Sequence, residues 1–299
     1  MTTNPLVTDC RRLKWSEAVK IGVVIIVGLF VFGRIFSGAF PDDNLADKKI
    51  LGAAAVGPTE DLVLPVVWGD LGQRLVASGV IDTDKFEALY ARRGALAEYE
   101  RALLTGSTER LIINQDNAGV VLNLLWALGL GNRNPILEEG PMNDPRYGGP
   151  SGFASTGGWP LARGNPMSHY NQHAFVALTP AQQALVERVS KNIYRPCCDN
   201  STYFPDCNHG LAMLGLLELM AARGTDESEM YAAALRVNAF WFPDAYETIA
   251  RFLGQSDIAW GTTDPETILN RGYSSLSGFT RVQSLGQKSG AEAALSCGA

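Results

Sequence analysis

Apolar positions along this chain follow three different patterns. The first is an unbroken run. From Ile21 to Gly33 no residue is charged, and after Arg34 apolar character resumes through Ile35, Phe36, Ala39 and Phe40. The span 21–40 holds 20 residues and one charge. A helix of that length covers ~30 Å, enough for a bilayer's hydrocarbon core. Arg34 lies near one end, where its long stem carries the guanidinium toward the headgroups. Arg11, Arg12, Lys14 and Lys20 precede the run, and Asp42 and Asp43 follow it, with Lys48 and Lys49 softening the asymmetry. The positive-inside rule then predicts a cytoplasmic tail over 1–18, a transmembrane anchor over 19–40 and an extracytoplasmic remainder. A cleaved signal peptide is an alternative, with Ser37-Gly38-Ala39 as its small-x-small site, although Arg34 between core and site counts against it. Either way the rest of the chain is exported. A buried or amphipathic helix of a soluble protein is the third reading.

The second pattern is helical. After a linker over 41–58, Leu62, Val66, Val67, Leu71 and Leu75 recur at helical spacing, with Pro65 in the first turn and Gly79 as a stop. Asp82-Thr83-Asp84 caps a helix carrying Phe86, Leu89, Tyr90, Leu96 and Leu103 to near Gly106. Leu111–Ile113 reads as a short strand or a helix lead-in. Asp116 or Asn117 opens an apolar helix from Val120 to Leu130, too short to span a bilayer and so predicted as a core helix. Further helices start at Thr179-Pro180, near Asn208, at Thr225–Ser228, at Asp244 and at Asp264-Pro265.

The third pattern is the lack of any period. Residues 131–178 are rich in Gly, Pro, Asn and Ser, and residues 272–299 form a Ser/Gly-rich stretch expected to be a flexible tail. The fold class predicted is mainly α: one transmembrane helix, then an all-α exported domain over 59–271. Its two lobes, about 59–130 and 179–271, are joined by the irregular segment.

Composition changes this picture little, and charge changes it more. The chain has 299 residues, 46% hydrophobic and 19% charged, which excludes a disordered protein and a coiled coil. Net charge is −6, with five basic and two acidic residues before position 41; the remainder therefore carries −9. An acidic exported body does not grip nucleic acid.

The chemistry concentrates in one stretch. Three of five cysteines, Cys197, Cys198 and Cys207, fall within 11 residues, and the three histidines, His169, His173 and His209, lie between 169 and 209. Cys197, Cys198, Cys207 and His209 offer three thiolates and an imidazole, a donor set that suits zinc or cuprous copper. Met213 is one turn beyond His209 and is a candidate fifth contact; His169 and His173 are weaker candidates. The spacing departs from usual zinc sites, and adjacent cysteines point apart, so both on one ion would need a bent backbone. Disulfides are the competing outcome in an oxidising compartment: Cys207 could bond one of the adjacent pair, and Cys297 could take another. No P-loop, G-x-G-x-x-G or C-x-x-C-H occurs, so neither a nucleotide nor a haem is implied.

Three functions remain from this reading. One is soft-metal binding by a membrane-anchored extracytoplasmic protein. The second is a non-catalytic accessory or scaffold subunit with disulfide staples, docking a protein partner through 131–178 or the aromatic patch 238–243. The third is an enzyme using His169 or His173 as a base beside a reactive cysteine. It has no recognisable catalytic motif to support it.

Overall fold

The computed structural model describes residues 60–106, 108–256 and 258–296. The expected cytoplasmic tail, the 19–40 anchor and the 41–58 linker lie outside the described residues, as do Cys10 and Cys297. Among the described residues no helix is long and apolar enough to cross a membrane.

The described chain is mainly helical. It begins with strand β1 (Leu62–Gly69), helices α1 (Leu71–Ser78), α2 (Thr83–Tyr90) and α3 (Glu98–Thr105), and strand β2 (Thr108–Ile113). The long apolar α4 (Ala118–Gly131) and the short α5 (Pro135–Glu139) follow. After an irregular stretch come α6 (Pro180–Ser190), α7 (Asn208–Arg223), α8 (Glu227–Trp241) and α9 (Pro243–Gln255). Three more close the order: α10 (Pro265–Leu269), α11 (Arg271–Ser274) and α12 (Leu276–Ser296).

Helices α4 and α7 form the centre. Both are buried on nearly all sides, as helices that are apolar all round must be. Their backbones touch. A Cβ on Gly129 would sit 2.1 Å from the Leu211 carbonyl oxygen, and one on Gly215 would sit 2.6 Å from that of Leu125. One hydrophobic core runs from Leu62 to Val282 and includes residues of both expected lobes.

Three expectations are corrected. The stretch from residue 62 begins as a strand, antiparallel to β2, with Leu62, Leu64, Val66 and Trp68 buried and Val63 and Val67 exposed. The same residues satisfy a helical and an alternating template, and the alternation buries more, including Trp68, whose indole donates to the Leu103 carbonyl at 2.8 Å. Gly69, at φ +54°, turns the chain into α1. Likewise the stretch from 272 is not a featureless tail: α11 and α12 occupy it. Phe279 and Val282, three apart, seat α12 on the core, and its start is pinned by the Leu276 amide donating to Cys198 O at 3.0 Å and the Ser277 amide donating to Asp199 Oδ1 at 2.8 Å. The expected 82–106 helix is interrupted at Gly94-Ala95, both with positive φ.

The 131–178 segment, expected to be irregular, holds the short α5 and four single 3-10 turns, and it is anchored. Trp159 is buried against Trp126 with ring centroids 4.6 Å apart, and its indole donates to Val80 O at 2.8 Å.

Candidate metal centre

The centre is built on the loop between α6 and α7. Backbone bonds fold this loop onto its own start, from Thr202 N to Ile193 O at 2.8 Å and from Tyr203 N to Ser190 O at 3.0 Å. Within it, Arg195-Pro196-Cys197-Cys198 makes a tight turn, with the Cys198 amide donating to Arg195 O at 3.3 Å. Proline at the second position suits such a turn and supplies the bent backbone that neighbouring cysteines require. The loop ends at Cys207, which caps the N-terminus of α7 and places His209 in its first turn.

Four donors meet here. Cys197 Sγ lies 3.4 Å from Cys207 Sγ and 3.9 Å from His209 Nδ1, and Cys198 Sγ lies 3.8 Å from Cys207 Sγ. Ligand atoms of Cys197, Cys207 and His209 all fall within 4.8 Å of one another, as do those of Cys198, Asp206 and Cys207. These groups could hold a metal ion. All three thiols are free, Cys197 being exposed and the other two half-buried.

A fully buried arginine lies under the cluster. Arg195 Nε donates to Cys207 Sγ at 2.9 Å. Its terminal nitrogens donate to Asn200 O at 3.0 Å, Phe204 O at 3.4 Å and Asp206 Oδ1 at 3.2 Å. Asp206 Oδ2 accepts from Asn200 Nδ2 at 2.8 Å. Room for the guanidinium exists because position 210 is glycine: a Cβ there would sit 2.4 Å from an Arg195 nitrogen. Burial opposes the arginine's charge, but the Cys207 and Cys198 sulfurs beside it raise its pKa above the ordinary value. Hydrogen bonds from the Cys197 and Cys198 thiols, with the Arg195 charge, hold the Cys207 thiol far below the usual thiol range. The Arg195 Nε donor aimed at its sulfur favours the ionised form of Cys207.

The His209 ring packs against Phe242, centroids 4.4 Å apart, and Trp241 at 5.7 Å. The aromatic patch at 238–243 thus backs the imidazole. A cleft of about 500 Å³ opens beside Cys197, walled by Pro196, Trp241, Phe242, Pro243 and Phe279.

The other candidates lie elsewhere. Met213 is fully buried and contributes to the hydrophobic core. His169 and His173 pair with each other, Nδ1 to Nε2 at 3.3 Å, while His169 Nε2 donates to Arg163 O at 3.1 Å. Neither shares a ligand group with the cysteines. Sequence reading missed Arg195, Asp206 and Gly210. Their proximity to Cys197, Cys207 and His209 in the chain was the only available signal.

No known family, curated protein or solved structure matches the chain.

Proposed function

We propose that this protein binds a soft metal ion, cuprous copper or zinc, through Cys197, Cys207 and His209 with Cys198 beside them. We further propose that an N-terminal anchor holds the site on the extracytoplasmic face of a membrane. The observation that carries the metal reading is the convergence of two thiol sulfurs and an imidazole nitrogen within 4.8 Å. Donors ~2.3 Å from one ion stand about 3.8–4.0 Å apart at tetrahedral or trigonal angles, close to the spacings here. Sulfur-rich donor sets select soft d¹⁰ ions over hard ones. The buried guanidinium supports the reading by offsetting the negative charge of clustered thiolates. The anchor rests on the 21–40 run and its flanking charges.

Elemental analysis of the full chain, purified in detergent without chelator, tests the site. A bound soft metal that disappears in Cys207→Ala is expected. Metal-free protein that takes up neither Cu(I) nor Zn(II) when reduced would overturn the reading. A reporter fused after residue 60 tests the topology, and cytoplasmic reporter activity would refute the anchor's orientation.

A further inference from the structure

Cys197 and Cys198 are adjacent in the chain, yet they belong to different ligand groups. One group is Cys197, Cys207 and His209; the other is Cys198, Asp206 and Cys207. Cys207 is common to both, with one neighbouring sulfur at 3.4 Å and the other at 3.8 Å. Cys197 and Cys198 are not joined in one ligand group. They can each supply a terminal ligand to one of two ions flanking a central sulfur.

We propose that the centre is dinuclear: two cuprous ions bridged by the Cys207 thiolate. This rests on the soft-metal reading above and specifies its nuclearity and its metal. The first ion takes Cys197, Cys207 and His209, and the second takes Cys198, Cys207 and Asp206. A thiolate sulfur has three lone pairs. Two serve the ions, and the third accepts the Arg195 Nε hydrogen bond at 2.9 Å. Asp206 Oδ2 accepts from Asn200, and Oδ1 accepts from Arg195 and, at 3.8 Å, from the Cys198 thiol; loading removes that thiol proton and frees the Oδ1 lone pair for the second ion.

Coordination number selects cuprous ions. Each group supplies three protein donors. Cu(I) is satisfied by trigonal coordination, whereas zinc in protein-only sites takes four ligands. Three thiolates and one carboxylate carry four negative charges against one on Arg195, and two monovalent ions leave the cluster at −1. Loading displaces the thiol protons to solvent, and no electron is transferred.

The test is anaerobic titration of the reduced, detergent-solubilised full chain with cuprous ion, held against a chromophoric Cu(I) chelator. Two equivalents per chain are expected. X-ray absorption should then show a copper–copper vector shorter than about 4 Å, as two ~2.3 Å bonds to one sulfur require. Cys198→Ser should bind one equivalent and lose that vector, and Asp206→Asn should weaken the second equivalent at least tenfold. His209→Asn should weaken the other. One equivalent in the wild type would overturn the dinuclear centre while leaving the soft-metal site standing. No uptake in the wild type would overturn both. Because the wild-type stoichiometry decides the matter alone, misfolding of any variant does not shelter the proposal.

Discussion

Helix α7 touches two buried ionisable groups, and they are accommodated in opposite ways. Under its first turn, Arg195 is wholly buried yet charged, because a thiolate, a carboxylate and two carbonyls surround it. In its third turn, Glu218 is equally buried but has no cationic partner. Asn134 Nδ2 donates to its Oε1 at 2.5 Å, and Oε2 has no partner. Burial pushes its pKa up to about 8 despite the hydrogen bond from Asn134. Glu218 thus solves the desolvation problem by holding its proton, and Arg195 solves it by collecting anions. The charge retained beside three thiols is held by the acceptors gathered around it. The neutralised one, set between α7 and the connection from α4 to α5, is held by its own proton.

The largest expected effect comes from the neutral side of this comparison. Glu218 has a folded pKa of about 8 against an unfolded value of 4.5. Below pH 4.5 both states are protonated. Between 4.5 and 8 the unfolded state releases its proton and the folded state does not, so stability falls as pH rises through that window. At ~1.4 kcal/mol per pH unit the loss is on the order of 5 kcal/mol by pH 8. Glu218→Gln should match the wild type near pH 4.5 and exceed it at pH 8 in chemical denaturation. Parallel pH profiles for the two proteins would show that Glu218 is ionised in the fold.

Arg195→Leu attacks the charged side. It leaves Cys207, Asp206 and two carbonyls without their donor, and should cost about 3–5 kcal/mol. Arg195→Lys keeps the charge but not the fork of donors, so it should recover only part of that stability. If Arg195→Leu were neutral, the anionic surroundings inferred for Arg195 would be wrong. Gly210→Ala reaches the same guanidinium by sterics. The new Cβ meets a group pinned by four acceptors, for an expected cost of about 1–3 kcal/mol and weakened metal uptake. Alanine at an ordinary helical glycine would instead stabilise.

Local signals made much of this legible in the sequence. Thr179, Asp226 and Asp264 are the caps that their spacing implied, and each accepts a backbone amide in the first turn of its helix. Residues 62–69 misled because Leu62 and Val66 are spaced alike for a helix face and a strand face. Only the packing of Leu64 and Trp68 against α3 and the core separates the two. Helix α12 was hidden because Ser and Gly dilute a two-residue apolar anchor, and its start depends on Asp199, 78 positions away. At the site, the Cys and His types were legible. Arg195 was not: an arginine between Tyr194 and Pro196 reads as solvated until the loop closes over it.

The smallest expected effect concerns the pair that the sequence left as weaker ligands. His169 Nε2 faces the Arg163 carbonyl, which can only accept, so the proton sits on Nε2 and Nδ1 must accept from His173 Nε2. Both nitrogens of His169 are then engaged, and a metal would have to break one of these bonds. Burial, with the nearby His169 and Arg133 charges, lowers the pKa of His173. Its contribution to stability is therefore present above pH 6.5 and is lost as pH falls through its lowered folded pKa. His169→Gln should cost about 1 kcal/mol, the worth of a hydrogen bond or two. It should shift the acid limb of the stability profile and leave metal stoichiometry untouched. A drop in bound metal in that variant would join this pair to the cysteine centre and erase the separation between the two sets of histidines.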